Sequence, residues 1–251
     1  MAVETPSLLE KEDGLMGAFE LEGLSIAFGG LKALTNFSMT LEPKALFGLI
    51  GPNGAGKTTV FNLLTGVYSP DSGTVKLGDK SLVGLPPYQI AKAGVARTFQ
   101  NIRLCGDLTV LENVLISYHM RVPYGYVATL LRTPKFRKTE ADWEVQARDL
   151  LNLMGLESRA SDYAKNLSYG NQRRLEIARA LATTPKVLLL DEPAAGLNTQ
   201  EKAQLMNLIA EIRNRYNVTI LLIEHDMKLV MGVCERIVVL DAGELIAEGT
   251  P

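Results

Sequence analysis

A run of nine residues, Gly51, Pro52, Asn53, Gly54, Ala55, Gly56, Lys57, Thr58 and Thr59, has the composition of an anion cradle. Gly51 through Thr58 satisfy the spacing G-x-x-x-x-G-K-[ST], with the apolar run LFGLI before them and helical periodicity after Thr58. Glycines lack a Cβ and accept φ > 0, so backbone N–H groups can turn into such a loop and join the positive end of the helix that follows. In that geometry Lys57 reaches the β- and γ-phosphates of a nucleotide, Thr58 ligates Mg²⁺ and Thr59 faces the α-phosphate. The competing reading is a glycine turn without a nucleotide, and the strand and helix on its two sides argue against it.

A second group of residues would complete the chemistry. In KVLLLDEP, residues 186–193, the apolar run 187–190 reads as a buried strand that ends by projecting Asp191 towards a metal. Glu192 follows directly, and a carboxylate beside a metal ligand can orient and deprotonate an attacking water. Alone, an Asp-Glu pair reads as a capped turn. His225, one of two histidines, follows the apolar run of TILLIEHDM. A histidine there is most often structural, yet ligands of open α/β sheets bind at the carboxyl ends of strands. The loops after Ile50, Leu190 and Ile223 are therefore expected to converge, which favours a γ-phosphate contact for His225. His119, on a helical stretch distant from these motifs, receives no role.

The elements that must hold these groups are legible in the periodicity. FELEGLSIAF and ALTNFSMTL alternate as strands, LFGLI is a third, and TVKLGDKSL reads as a hairpin around Gly78 and Asp79, giving an antiparallel layer beside the loop strand. TVLENVLISYHM and residues 140–154 carry helical periodicity, with Trp143, Ala147, Leu150, Leu151 and Met154 on one face. Between them Arg132, Lys135, Arg137 and Lys138 gather around Pro134, which reads as a solvated loop rather than a docking site. Beyond Leu167 helices and strands alternate: Leu205, Leu208, Ile209 and Ile212 mark a helix, and VLLL, VTILLI and RIVVL are runs typical of strands buried on both faces. The expectation is an α/β fold with a parallel sheet covered by helices.

Composition narrows the class. The 251 residues are 47% hydrophobic with a formal net charge of -2, enough for one sizeable core and without the basic excess that advertises nucleic acid. Anion binding by backbone N–H groups needs no basic surface. Cys105 and Cys234 lie far apart without metal-ligand spacing, so both are expected to be reduced, structural thiols. The start is acidic where a signal peptide would be basic then apolar, and no stretch has the length of a membrane span, so any membrane role is expected to be peripheral. Residues 1–18 read as a flexible lead-in and 19–251 as one domain, with a helical subdomain over about 101–170.

These residues resemble the ATP-binding subunits of ABC transporters. Besides the two nucleotide motifs, LSYGNQRRLEIARAL at 167–181 is similar to that family's signature, upstream of the Asp191 strand as in the family. The resemblance runs from Phe19 onward and implies a P-loop NTPase (RecA-like) core with an antiparallel β layer and a helical subdomain, binding ATP and Mg²⁺. It implies that Gln100, in ARTFQN, helps Thr58 and Asp191 at the metal and couples to membrane subunits; that Phe28 stacks on adenine; and that Ala195, Gly196, Leu197 and Asn198 form a loop crossing a dimer interface. Lys57, Glu192 and His225 are the implied catalytic groups. Ser168, Tyr169, Gly170 and Asn171 would open a helix near Asn171 whose hydroxyl, N–H groups and dipole face the γ-phosphate held by a partner subunit.

The signature departs from the usual LSGGQ: Tyr169 stands at one of its glycines and Asn171 at its glutamine, and Asn198 stands where Asp is commoner. Coupling between two sites is what these departures put in question. SYG before RRLEIARAL, AFGGLKAL and LLRTPKFRK together look like the branched-chain (hydrophobic) amino-acid importers. That subfamily implies two membrane permease subunits, a second ATP-binding subunit, an external substrate-binding protein and a peripheral place on the cytoplasmic face of the inner membrane. Urea or short-amide importers and lipopolysaccharide-export ATPases are the neighbouring readings. A soluble ATPase acting on ribosomes or nucleic acid, and a regulatory nucleotide binder, are the alternatives from other classes. The chain stops at Pro251 where the resembling proteins continue into another helix, so truncation is expected.

Overall fold

The computed structural model describes residues 17–251; the lead-in expected over 1–18 lies almost wholly outside them. Two sheets organise the chain. β1 (Phe19–Phe28), β2 (Leu31–Leu41), β4 (Ser72–Leu77) and β5 (Lys80–Ser81) form an antiparallel layer in the order β2-β1-β4-β5. β3 (Leu46–Ile50), β6 (Val95–Arg97), β7 (Val187–Asp191), β8 (Thr219–Ile223), β9 (Arg236–Asp241) and β10 (Glu244–Gly249) form the second, in the order β10-β9-β3-β8-β7-β6. All of its pairs are parallel except β9 with β10.

The apolar runs behave as strands covered on both faces should. Along β7, Val187 and Leu189 enter one core while Leu188 and Leu190 enter the other; along β8, Leu221 and Ile223 part in the same way from Ile220 and Leu222. One core lies between this sheet, the antiparallel layer and α1 (Lys57–Leu64). The other lies between the sheet and the helices on its far face, α6 (Tyr169–Ala182), α7 (Thr199–Tyr216) and α8 (Met227–Val233). Successive side chains of a strand point to opposite faces, so unbroken apolar sequence is what two cores demand.

α2 (Pro87–Ala93) leads into the edge strand β6, and the chain then passes to α3 (Val110–Tyr118), α4 (Tyr126–Leu130) and α5 (Pro134–Leu153). Thr109 and Glu112 cap α3 reciprocally, the side chain of each bonding the other's backbone N–H. Trp143, Ala147, Leu150, Leu151 and Met154 are buried together as their spacing requires, and Tyr118 stacks on Trp143 with ring centroids 5.8 Å apart. Of the basic cluster, only Arg132 lies in a loop, the exposed turn before α5. α5 starts at Pro134, with Thr133 at its N-cap accepting from the Phe136 N–H, so Lys135, Arg137 and Lys138 ride exposed on its first turns. Proline is favoured at a first helical position because its missing N–H has no helical partner there, which a periodicity count does not register. Cys105 also departs from expectation: it is exposed, whereas Cys234 is buried. No described helix is long and apolar enough to cross a membrane.

Candidate nucleotide site

The phosphate loop leaves the carboxyl end of β3 and opens α1. Gly51 has φ 152°, and a Cβ there would lie 2.0 Å from the Leu240 carbonyl oxygen; Gly56 has φ 107° at the N-cap of α1, and a Cβ there would lie 2.7 Å from the Ala33 carbonyl oxygen. Only glycine fits both, because the loop is pressed between β2 and the end of β9. Lys57 opens the helix, nearly buried, and its Nζ donates to the Gly51 and Pro52 carbonyls at 2.7 and 2.9 Å. Burial pushes the ammonium below its ordinary pKa, while Glu192 and Asp191 nearby pull it back up. Thr58 is exposed and Thr59 half-buried, both on the first turn of α1. Pro52, Asn53 and Gly54 are exposed along the rim, and Ala55 is buried beneath it.

The parallel register brings the other loops to the same edge. Leu49 pairs with Ile223 and Ile223 with Asp191, so the chain leaves β3, β8 and β7 side by side. Asp191 is 4% exposed and pairs through Oδ2 with the Arg97 guanidinium at 2.7 Å. Arg97 also donates to Asn62 Oδ1 at 2.7 Å and lies over the rings of Phe61 and Phe99, so one guanidinium ties α1, β6 and β7 together. Glu192 has φ 46°, in the left-handed region that non-glycine residues avoid, and its N–H donates to the Ile223 carbonyl at 3.0 Å. Such conformations cost on the order of 1–3 kcal/mol and gather at functional sites. The Glu192 carboxylate accepts from Gln100 Nε2 at 3.1 Å and lies 3.7 Å from His225 Nδ1, too far for a hydrogen bond. His225 is exposed.

Glu192, Gln100, His225, Asp191 and Lys57 therefore form one cluster. Phe28 lies apart from it, at the tip of the β1–β2 hairpin, 43% exposed and edge-on to Tyr68 at 5.0 Å. The signature residues are also elsewhere. α6 begins at Tyr169, two residues before the expected start near Asn171, with Ser168 at its N-cap, exposed and making no capping bond through its side chain. Gly170 faces Leu197 and Glu201 across the turn into α7, and a cavity of about 240 Å³ lined by Gly170, Asn171, Arg174, Leu197, Glu201, Gln204 and Leu205 opens beside it. Asn198 caps α7 reciprocally with Glu201.

An α/β sandwich with a glycine-built phosphate loop at one sheet edge, and a second helix N-terminus held away from it, matches known proteins in both sequence and shape. The pattern of the ABC transporter family covers residues 34–195. The chain belongs to the ABC transporter family. The cassette is 53% identical over 231 residues to the high-affinity branched-chain amino acid transport ATP-binding protein LivG of Escherichia coli (strain K12), covering 92% of this chain and 91% of that one. It is 48% identical over 232 residues to BraF of Pseudomonas aeruginosa, described in the same terms, again covering 92% and 91%. Among solved structures, an ATP-binding cassette of an ABC transporter in its ADP conformation superposes with a TM-score of 0.81 at 31% identity, covering 94% of this chain and 92% of that one. A dimeric cassette in a post-hydrolysis state bound to ADP and Pi gives 0.76 at 25% identity, covering 92% and 98%.

Several residues around the cluster received no role from sequence: Asn62, and, inside the motifs themselves, Arg97, Arg173, Glu176 and Glu224. Glu224 is 2% exposed, and its Oε1 accepts from the Ala194 N–H at 2.9 Å, holding the chain just beyond Glu192; burial pushes its carboxyl above the usual range. Arg173 and Glu176 fall on the same stripe of α6 as Ile177, Ala180 and Leu181, all buried. A charge on an apolar stripe is a signal that sequence can carry, since buried charges must be paired. It does not name the partner.

Proposed function

We propose that this cassette hydrolyses ATP to drive an importer of branched-chain or hydrophobic amino acids, as a peripheral subunit on the cytoplasmic face of the inner membrane. The observation that carries the reading is the meeting of Lys57, Asp191, Glu192, Gln100 and His225 at the carboxyl ends of adjacent strands, over a glycine-built anion cradle. Two membrane permease subunits, a second ATP-binding subunit and an external substrate-binding protein complete the assembly by the same reading, which the likeness to LivG and BraF supports.

The residues present suit a magnesium nucleotide. Asp191, the Thr58 hydroxyl and the Gln100 amide are hard oxygen donors, and Mg²⁺ takes one or two carboxylates alongside phosphate and water. When bound, Mg-ATP supplies the electrophilic phosphorus and its charge neutralisation. The loop N–H groups and Lys57, turning from the Gly51 and Pro52 carbonyls, hold the phosphates, while Thr59 faces the α-phosphate and Phe28 with Tyr68 receives the base. Glu192 takes the proton from water, Gln100 orients its carboxylate, and His225 swings to the γ-phosphate. The Ser168 hydroxyl and the first N–H groups of α6, unpaired within any helix, address the phosphate held by the second subunit.

The test is reconstitution. Mg-ATP and tagged Glu192→Gln cassette are used to draw the assembly from detergent-solubilised membranes, and the wild-type assembly is rebuilt in vesicles. ATP-dependent uptake of labelled leucine is the expected result. Uptake of urea but not leucine, or recovery of ribosomal proteins without any membrane subunit, would overturn the transport assignment.

A further inference from the structure

Tyr169 replaces a glycine of the signature, and its side chain meets Gly196 of the crossing loop and Arg173 of α6. Its ring lies against the crossing loop: a methyl group built on Gly196 would sit 3.1 Å from Cε1 and 3.5 Å from Cζ of the ring. The Tyr169 hydroxyl accepts from Arg173 Nη2 at 3.2 Å, one turn along α6. Arg173 is fully buried, and its guanidinium grips the glutamine loop, with Nη1 donating to the Phe99 carbonyl at 2.6 Å and Nη2 to the Gln100 carbonyl at 2.8 Å. Glu176 closes the arrangement, pairing with Arg173 at 2.8 Å and accepting from the Phe99 and Arg103 N–H groups. Gln100 in turn reaches Glu192.

These contacts run without a break from the turn that faces the partner subunit to this subunit's own general base. A glycine at position 169 would leave Gly196 without the ring and the Arg173 head without its link to the signature turn. An arginine offers five rigid donors, so it transmits the position of one acceptor to the others more faithfully than an isolated amide can. We propose that Tyr169 is a positioning residue that couples the signature turn to Glu192 of the same subunit, through Arg173 and Gln100, so that nucleotide seated by the partner sets the aim of this subunit's base. The inference rests on the functional reading above, and it gives the departure from LSGGQ a role: the signature turn and the glutamine loop move as one body.

Tyr169→Phe tests this with little risk to folding, because it keeps the ring on Gly196 and removes only the hydroxyl. In the assembled transporter we expect kcat for ATP to fall roughly fivefold to tenfold, the size of a modest coupling between sites. KM, and nucleotide affinity of the isolated chain, stay unchanged. The decisive measurement is a double-mutant cycle with Gln100→Ala: with the relay already cut at Gln100, adding Tyr169→Phe should cost nothing further. Amide exchange at Phe99 and Arg103 should also quicken in Tyr169→Gly. An active wild type with independent, multiplicative losses in the cycle, or a Tyr169→Phe variant equal to wild type, would overturn the relay. A wild-type assembly without any ATPase would sink the functional reading, and the relay with it.

Discussion

The phosphate-loop end and the signature end of this cassette are both helix N-termini, proposed above to face phosphate, and they are furnished in opposite ways. At the first, three charged side chains already have partners in the same chain: Lys57 on the loop carbonyls, Asp191 on Arg97, Glu192 on Gln100. At the second, the Ser168 hydroxyl stands exposed at the head of α6 without a capping bond. Lys57, at the head of α1, and Asp191, at the end of β7, are buried and held by low-dielectric surroundings before any ligand arrives. The second end leaves its donors unspent, which suits an acceptor brought by another molecule. By the reading proposed above, one end is assembled by folding and the other by association.

The sharpest way to break that comparison is at the base. Glu192→Gln should lower steady-state hydrolysis by at least about 10²-fold, the scale of general-base catalysis, while nucleotide binding persists. Substantial residual turnover would remove Glu192 from the first end's machinery. Lys57→Ala should weaken nucleotide binding by the isolated chain by about tenfold to a hundredfold, the worth of a charge-assisted hydrogen bond to phosphate. Equal binding by this variant and wild type would mean that backbone N–H groups alone hold the anion.

Ser168→Ala addresses the other end. Nucleotide affinity of the isolated chain should not move, whereas turnover in the assembled complex should fall by about tenfold or more, as when one donor to transition-state charge is lost. A matching loss of affinity in the isolated chain would erase the distinction between the two ends. The pH dependence of binding sharpens it further. The free protein holds Lys57 below its ordinary pKa through burial, and bound phosphate favours the ammonium, so nucleotide binding draws a proton onto Lys57 once the free protein begins to lose it. Affinity should therefore fall as pH rises towards about 10, measured by titrating nucleotide across that range. A pH-independent affinity would place Lys57 fully charged in the free protein.

The smallest effect belongs to the turn that supports the signature. Asn198→Ala removes one arm of the α7 capping box, and it should cost about 1 kcal/mol, read as a drop of about 2–4 °C in Tm. Turnover falling more than stability predicts would mark Asn198 as part of the crossing-loop contact and not merely a cap.

Much of this was legible before any coordinates. The glycine loop, the Asp191 strand and the His225 strand each carry a local signature, because a phosphate cradle and a strand buried on both faces impose their residue types at fixed spacing. The start of α5 was not legible, since Pro134 reads as a breaker in a periodicity count yet favours a first helical turn. Nor was Arg97 on Asp191, whose partners are brought together by the parallel register of β6 and β7, residues far apart in the chain.

By itself, the sequence determined the elements and the chemical kind of the site: strands, helix heads, an anion loop and carboxylates at strand ends are consequences of local side-chain pattern. Tertiary structure decided which groups touch. It turned Lys57 onto its own loop, gave Asp191 an arginine partner, put Glu192 at positive φ between Gln100 and His225, and led Tyr169 through Arg173 to the glutamine loop. Such pairings depend on which strands align and which helix face meets which loop, and those are settled by the packing of two cores against one sheet.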